Sequence, residues 1–418
     1  MSEEVAMSGP LDGIRVLAME QAVALPAATR QLADLGAEVI RVQAPQRARG
    51  EDGPNSLTRN KRMVGIDLGA DGGAELFLRL AAEVDVVCHN FTPRVVQKFG
   101  IDYESVRAVN PTVIYASVTG FGMTGPWGPR PLFGPGAEAV SGINSLIGPA
   151  DGWPGRPGTI VYADSVCGSN VAFAVLAALD HRDRTGEGQH IDATLYETSV
   201  AELGPALAER ALGATPDRIG NDDQRYALHD VFTARGLDRH VAVSAEADQL
   251  AGAASALGLK GFSRDGFAAA IAALDAADVA ARLQDAGVAA SVVNDARDVV
   301  TDPQLWARGY FAELEDDGDS APHVAIPWGG GSFVTLESGR PVGSDNTRVL
   351  RELAKLTGDE IASLEERGVI ASVRGTPRVA AASNEKRLER GELSRVDANP
   401  SEWRAVRDAT TRTPGGVQ

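Results

Sequence analysis

Apolar and polar residues follow two alternating patterns along residues 11–200. Amphipathic stretches predict helices at 27–35, which ends at Gly36, and at 71–82. Short apolar runs that are typical of buried strands lie at 14–18, 38–42, 84–88 and 113–118. Strands that alternate with helices of about 10–15 residues are typical of βαβ units and a mainly parallel sheet. The pattern therefore predicts a doubly wound α/β fold for this part of the chain.

The pattern changes in the second half of the chain. Residues 225–320 combine short strands, such as 241–244, with Ala-rich helices, such as 266–276. This combination predicts a smaller α+β domain, and the last residues are polar enough to predict an extended or partly disordered tail. The expected division is a large domain of 10–215 plus 330–372, a small domain of 216–329 and a tail of 373–418.

Glycine and proline are dense between residues 120 and 158. Such a composition predicts irregular backbone at the surface, where binding groups are often carried. A structural connection without chemistry explains the same composition, so both interpretations stay open here.

Composition and charge narrow the class of protein. Of the 418 residues, 44% are hydrophobic and 23% are charged, which is ordinary for a globular protein. The formal net charge of −17 argues against nucleic-acid binding, which needs a basic face. No apolar run reaches the roughly 20 residues of a membrane span, and the acidic N-terminus does not resemble a signal peptide. We expect a cytoplasmic protein without a membrane partner.

An anionic ligand would need a local cationic field in such an acidic protein. The candidates for that field are Arg59, Lys61, Arg62, Arg94 and Lys98.

Motifs of common cofactors and metals are missing from the sequence. The junction after the first strand, residues 20–27, has no G-x-G-x-x-G fingerprint for a dinucleotide. A G-x-S-x-G elbow is absent as well, which argues against a serine hydrolase. The six histidines lack metal-ligand spacing, and the two cysteines cannot form a zinc site alone. We predict no metal and no redox cofactor.

Asp164 is the leading candidate for a functional carboxylate. It lies after a β-rich run and before a predicted apolar helix at 170–180. Its side chain could cap that helix, since Asp oxygens accept unpaired N–H groups there. The helix dipole would also keep the carboxylate ionised, which suits a nucleophile. Residue patterns alone leave both roles open.

Several blocks, taken together, resemble the family III CoA-transferases of the formyl-CoA transferase and carnitine CoA-transferase type. The resemblance covers about residues 10–370, and its many separate blocks in the same order make it specific. The blocks include residues 10–17, 32–42, 59–62, 85–91, 113–122 and 184–192.

The resemblance implies a fold and an activity. The implied fold is α/β, with a Rossmann-like large domain, a smaller α+β domain and two chains interlocked as linked rings in a homodimer. The implied reaction moves CoA from an acyl-CoA donor to a carboxylic acid acceptor. Asp164 is implied as the nucleophile that carries the acyl group, with no cofactor beyond the CoA thioester itself.

Some CoA contacts of the family carry over to matching positions. Lys98 takes the place of an arginine that meets phosphate, and a lysine serves there as a point charge without bidentate geometry. A solvated helix charge is the alternative for Lys98. The implied CoA-binding residues are Val23, Ala24, Ile66, Asp67, Leu68, Asn90, Phe91 and Lys98.

The sequence departs from the family at the loop before residue 138. The family commonly has a carboxylate where this chain has Gly134, and a glutamine where it has Glu138. Glu138 is therefore the second candidate catalytic residue. Related racemases place a His-Asp pair where this chain has Phe133 and Gly134, so racemisation lacks its base. A non-catalytic CoA-binding subunit of a heteromeric transferase, or an acyl-CoA racemase, are the alternatives.

Overall fold

The computed structural model of the chain describes residues 9–47, 56–157, 161–316, 319–328, 333–373, 384–391, 396, 399 and 401–411. The chain divides into two compact units. The large unit comprises Met1–Ile143, Pro157–Gly204 and Pro303–Gln418, and the small unit comprises Asn144–Arg156 and Pro205–Asp302.

A six-stranded parallel sheet forms the centre of the large unit, in the order β3-β2-β1-β4-β5-β6. Its strands are β1 (Arg15–Met19), β2 (Glu38–Gln43), β3 (Lys61–Gly65), β4 (Val86–His89), β5 (Ile114–Thr119) and β6 (Gln189–Thr194). Most of these strands are apolar on both faces because helices cover both sides of the sheet. The strand order reverses between β1 and β4, and ligands of open α/β sheets bind at the carboxyl ends of the strands at such a point.

Helices pack on both faces of this sheet. One face is covered by α1 (Ala24–Asp34) and α7 (Tyr162–Thr185), and the opposite face by α2 (Gly73–Ala81), α4 (Tyr103–Val109) and α15 (Asn346–Glu352). Up to residue 201 the helices are α1 (Ala24–Asp34), α2 (Gly73–Ala81), α3 (Pro93–Phe99), α4 (Tyr103–Val109), α5 (Gly134–Ser141), α6 (Ile143–Leu146), α7 (Tyr162–Thr185) and α8 (Leu195–Ala201).

The small unit contains an antiparallel sheet of β7 (Leu228–Thr233), β8 (His240–Ala245) and β9 (Ala289–Val293). Phe232, Val241 and Phe267 belong to its buried core. The helices in this part of the chain are α9 (Gly204–Ala211), α10 (Leu250–Ala256), α11 (Arg264–Ala272), α12 (Ala276–Asp285) and α13 (Ala296–Val300).

The chain after residue 302 belongs to the large unit. The predicted small domain of 216–329 therefore has different limits from the observed unit, and its end at 329 lies outside the described residues. The elements here are α14 (Pro303–Ala307), β10 (Phe311–Asp316), β11 (Asp319–Val324), α15 (Asn346–Glu352), α16 (Gly358–Glu366), α17 (Asn384–Glu389) and α18 (Glu402–Thr411).

The C-terminal segment contains order that its polar composition did not predict. Helix α18 carries Trp403, which is only 4% exposed. The Trp403 ring stacks on Trp306 of α14 at 5.5 Å between ring centroids and 5° between planes. A buried aromatic side chain thus packs a helix that is otherwise polar, and Arg407 of the same helix pairs with Glu313. The prediction of an extended tail is therefore wrong for residues 402–411.

Helix α7 begins at Tyr162, well before the predicted start at Asn170. Among the described helices, α7 alone has the length and apolar composition of a membrane span. Its residues Val171, Val175 and Leu179 are buried in the core of the large unit. The helix is thus a core element by packing. Helix α5 also lies inside the stretch 120–158 that was expected to be irregular.

Candidate functional site

Asp164 is the third residue of α7, and its residue surface is only 5% exposed. Its Oδ1 accepts the main-chain N–H of Ala24 at 3.2 Å, and the main-chain N–H of Gly134 also donates to its carboxylate. The N-cap of α7 is Val161, so Asp164 does not cap its own helix. It binds instead the first amide of α1, since Ala24 begins that helix. The carboxylate is therefore fixed by main-chain donors from two other segments.

Two glycines allow these segments to approach Asp164. A β-carbon on Gly134 would overlap Asp164 Oδ2 and Val161 Cγ1. A β-carbon on Gly168, on α7, would lie 2.6 Å from the carbonyl oxygen of Ala24. Real β-carbons do not approach other atoms so closely, so glycine at both positions is a requirement of space.

Glu138 is fully buried beside the start of α7. Its Oε1 accepts the main-chain N–H of Tyr162 at 2.9 Å and that of Ala163 at 3.5 Å. The first N–H groups of a helix have no partner within the helix, so Glu138 supplies a cap from α5. The two predicted catalytic carboxylates thus meet at one helix start.

Burial raises the pKa of Asp164 above its ordinary value, and the charge of Glu138 raises it further. The main-chain N–H groups of Ala24 and Gly134 oppose these effects and lower the pKa, because they stabilise the ionised form. Burial raises the pKa of the Cys167 thiol to about 12 and raises that of Cys88 far above its usual range. Neither cysteine supplies a thiolate near neutral pH, so Asp164 is the stronger nucleophile candidate.

A cavity of about 730 Å³ opens at the carboxyl ends of β1 to β4. Five of the predicted CoA-binding residues line it: Ile66, Asp67, Leu68, Phe91 and Lys98. The cavity therefore brings together predicted residues from three separate stretches of the sequence, at 66–68, 91 and 98.

The other predicted CoA-binding residues lie beside the cavity without lining it. Val23 is the N-cap residue of α1, and Ala24 holds Asp164. The Asn90 side chain accepts the N–H of Gln21 at 2.9 Å and donates to its carbonyl oxygen at 2.6 Å. Asn90 thus positions the loop that follows β1.

Sequence reasoning missed several residues of the cavity wall. Among them are Gln21, Ala22, Pro26, Arg41, Gln43 and Phe133. Ala22 has a φ of 56°, which is uncommon outside glycine. No local sequence signal marks an alanine in this conformation, and the others reach the wall only through the fold.

Three of the five cations proposed for an anionic ligand are already engaged, and one of them, Arg62, lies 3.9 Å from Glu337. Arg59 is paired with Asp34 at 2.5 Å, and Lys61 with Glu20 at 2.6 Å, both deep in the large unit. Lys98 is exposed and lines the cavity, which makes it available to a ligand. Lys98 is therefore the exposed cation of the cavity wall, whereas Arg41 also lines the cavity but is buried with its Nε 3.5 Å from Glu20 Oε1.

Comparisons with known proteins identify the family of the chain. The sequence model of the family described as CoA-transferase family III matches residues 11–346. A succinate–glutarate CoA-transferase of Agrobacterium fabrum is 33% identical over 356 residues, covering 76% of this chain and 88% of that protein. The beta subunit of the succinyl-CoA–L-malate CoA-transferase of Chloroflexus aurantiacus is 32% identical, covering 86% of this chain and 98% of that subunit.

A crystal structure of a CAIB/BAIF family protein from Brucella suis has a similar fold, with a TM-score of 0.75 and 29% sequence identity. The similarity covers 83% of this chain and all of that one. The mixed α/β architecture with a parallel sheet is thus shared with that family. The chain belongs to CoA-transferase family III and is a CoA-transferase.

Proposed function

We propose that Asp164 is the nucleophile with which this chain moves CoA from an acyl-CoA to a carboxylic acid. The observation that carries the proposal is a buried carboxylate held by main-chain amides. Asp164 does not itself line the cavity, but residues next to the segments that hold it do. Ala22 and Pro26 line the cavity on either side of Ala24, which holds the carboxylate. Phe133 lines it next to Gly134, the second donor.

The cavity is proposed to bind CoA. Residues 66–68 would hold the adenine and its ribose, and Phe91 the pantetheine arm. Lys98 would meet a phosphate as a point charge. The Asp67 carboxylate is oriented for such a role by two hydrogen bonds. Its Oδ1 accepts the N–H of Gly69 at 2.8 Å, and its Oδ2 accepts from the Gln46 side chain at 2.7 Å.

In the first half of the reaction, Asp164 attacks the carbonyl carbon of the donor thioester. The carbon–sulfur bond breaks and gives a mixed anhydride of Asp164 and CoA thiolate. The thiolate then attacks the Asp164 carbonyl carbon, which releases the donor acid and leaves an Asp164–CoA thioester. The second half reverses these steps with the acceptor carboxylate, so the thioester energy is retained throughout.

Glu138 is proposed to support this chemistry without contacting the substrate. It caps the helix that carries Asp164 and raises the pKa of that carboxyl through its charge. Main-chain N–H groups near the helix starts would stabilise the oxyanions formed at the carbonyl carbon.

An exchange assay on the purified chain tests the proposed function. The names of the relatives make short dicarboxylic acids, with succinyl-CoA as donor, the first substrates to test. We expect new CoA thioesters to form from succinyl-CoA and a suitable free acid. One relative is a beta subunit, which supports a homologous partner chain as the alternative assembly. Exchange by the chain alone would show that no partner chain is required. Failure with all acids tested would support a requirement for a partner chain.

We further propose that the large unit is Rossmann-like and that two chains interlock as a homodimer. The strand order β3-β2-β1-β4-β5-β6 supports the first part. Exposed aromatic side chains such as Phe173, which is 72% exposed on α7, support the second part, since a partner chain would cover such a surface. Light scattering on the purified chain would test the dimer, and a monomeric mass would contradict it. Independence of cofactors and a cytoplasmic location stay predictions from the sequence.

A further inference from the structure

We propose that Gly134 is a positioning residue for Asp164, and that its missing β-carbon is what allows the carboxylate to stand where it does. The inference rests on the proposed role of Asp164. The sequence differs from the family at this position, where an acidic side chain is common, and the proposal gives that difference a structural reason. In this chain glycine would be needed for the reaction.

Space, and not backbone conformation, requires glycine at this position. Gly134 is the first residue of helix α5 and is not among the glycines with positive φ. Alanine therefore fits the backbone, and in a helix it is favoured over glycine. A β-carbon would nevertheless overlap Asp164 Oδ2 and lie 2.9 Å from its Cγ. A side chain at position 134 is thus excluded by its neighbours, Asp164 and Val161, and not by the backbone conformation.

Asp164 cannot simply move away from an added β-carbon. Its Oδ1 is bound to the N–H of Ala24, and the start of its helix is held by Glu138. Further along the same helix, Gly168 packs directly against the carbonyl of Ala24. Moving the carboxylate would therefore break the bond to Ala24, the bond to Gly134, or both.

Loss of these bonds would also change the ionisation of Asp164. The N–H groups of Ala24 and Gly134 lower the pKa of the carboxyl against the opposing effects of burial and Glu138. A displaced carboxylate would lose this stabilisation and bind its proton more tightly. An aspartate at 134 would also raise the pKa of Asp164, since it adds a further negative charge next to that carboxyl.

Gly134→Ala tests the proposal, with Gly136→Ala as the matched control. Both substitutions add one methyl group to helix α5. A β-carbon at Gly136 would meet only the terminal methyl of Leu132 at 2.7 Å, which is the flexible end of a side chain. We expect Gly134→Ala to lower kcat about 100-fold, the loss typical of a misplaced reacting group. The KM for succinyl-CoA should change little, and the acidic limb of the pH–kcat profile should move to higher pH.

Gly136→Ala should keep the wild-type kcat and pH profile. Gly134→Asp should also lose activity, although it restores the family's acidic side chain. Wild-type kinetics with either substitution at 134 would overturn the proposal. An inactive wild-type chain would instead count against the proposed function.

A double-mutant cycle tests the contact without relying on activity. Gly134→Ala is combined with Asp164→Ala, which removes the overlapping carboxylate atoms and leaves only the overlap with Val161. We expect Gly134→Ala to lower the urea midpoint of unfolding less in the Asp164→Ala background than in the wild type. An equal shift in both backgrounds would show that Asp164 is not the colliding group, and the proposal would be wrong.

Discussion

The Glu138 carboxylate accepts the main-chain N–H of Tyr162 at 2.9 Å, so the helix that carries Asp164 is capped from another helix. The bond couples the position of α5 to that of the nucleophile. It also places a second negative charge close to Asp164, which raises the pKa of the Asp164 carboxyl. The cap and the charge can be separated by substitution.

Glu138→Gln keeps an oxygen that can accept the Tyr162 N–H but removes the charge. We expect the pKa of Asp164 to fall, so the acidic limb of the pH–kcat profile should move to lower pH. Glu138→Ala removes the acceptor and should cost about 1 kcal/mol of stability, as other lost caps do. A loss of kcat of about 100-fold or more in Glu138→Gln, with an unmoved limb, would assign Glu138 a chemical role in place of a supporting one.

The buried pair of Lys61 and Glu20 predicts a specific dependence of stability on pH. The Lys61 ammonium donates to Glu20 Oε1 at 2.6 Å, to Thr29 Oγ1 at 2.7 Å and to the Pro26 carbonyl at 3.1 Å. Burial lowers its pKa from 10.5 to about 8. Between these values the unfolded chain binds the proton and the folded chain does not, so the contribution of Lys61 to stability rises with pH.

Lys61→Met should remove this pH dependence and destabilise the fold by about 3–5 kcal/mol near neutral pH, because the buried Glu20 carboxylate loses its closest charged partner. Urea unfolding of the wild type and the variant between about pH 7.5 and 9.5 would measure both effects. Adding Glu20→Gln to Lys61→Met should restore part of the lost stability. An unchanged midpoint in Lys61→Met would show that the pair is not a structural anchor.

Lys98 is the exposed cation of the cavity, and Arg94 is an exposed neighbour on the same helix outside the cavity wall. We expect Lys98→Ala to weaken CoA binding about two- to fivefold at low salt, the scale of an exposed charge contact. The difference should shrink as salt is added. Arg94→Ala is the matched control, and calorimetric titration of CoA measures both. Equal effects of the two substitutions would remove Lys98 from the phosphate site.

Trp403 anchors the C-terminal helix on Trp306. Trp403→Ala should cost about 3–5 kcal/mol if its full burial contributes to global stability. Arg404→Ala, which leaves the ring in place, is the control for loss of a charged neighbour. Thermal unfolding compares the two, and equal small shifts would mean that α18 detaches before the rest of the chain unfolds.

Local sequence patterns were sufficient for most of the parallel sheet. The mainly apolar runs at 38–42 and 113–118 lie within one residue of strands β2 and β5, because strands buried on both faces are rich in apolar residues. Edge strands β3 and β6 were both missed, because β3 begins with Lys61 and Arg62 and β6 alternates in burial. The start of α7 was missed too, because its first turns are small and polar where they pack on α1 and α5.

The candidate site was predictable only in part. Resemblance pointed to Asp164 and to the segment 66–68, but not to the groups that hold them. The N–H of Ala24 is 140 positions away from Asp164 in the chain, and the space at Gly134 exists only once α5 and α7 have packed. No local pattern encodes such contacts, so a glycine that looked like a lost carboxylate in the sequence becomes a neighbour of the nucleophile in the structure.

Trapping the covalent intermediate is the most direct test of Asp164 as nucleophile. The purified chain is incubated with succinyl-CoA, quenched with hydroxylamine or borohydride, and digested with trypsin for mass mapping. The modification is expected on Asp164, in the tryptic peptide 108–182, because trypsin does not cleave the bonds before Pro131 and Pro157, and only with a competent donor. It should be absent from Asp164→Asn. Cys167 lies in the same peptide, so fragmentation must resolve the two residues. An acyl group on Cys167 that survives Asp164→Ala would contradict the anhydride mechanism for this chain.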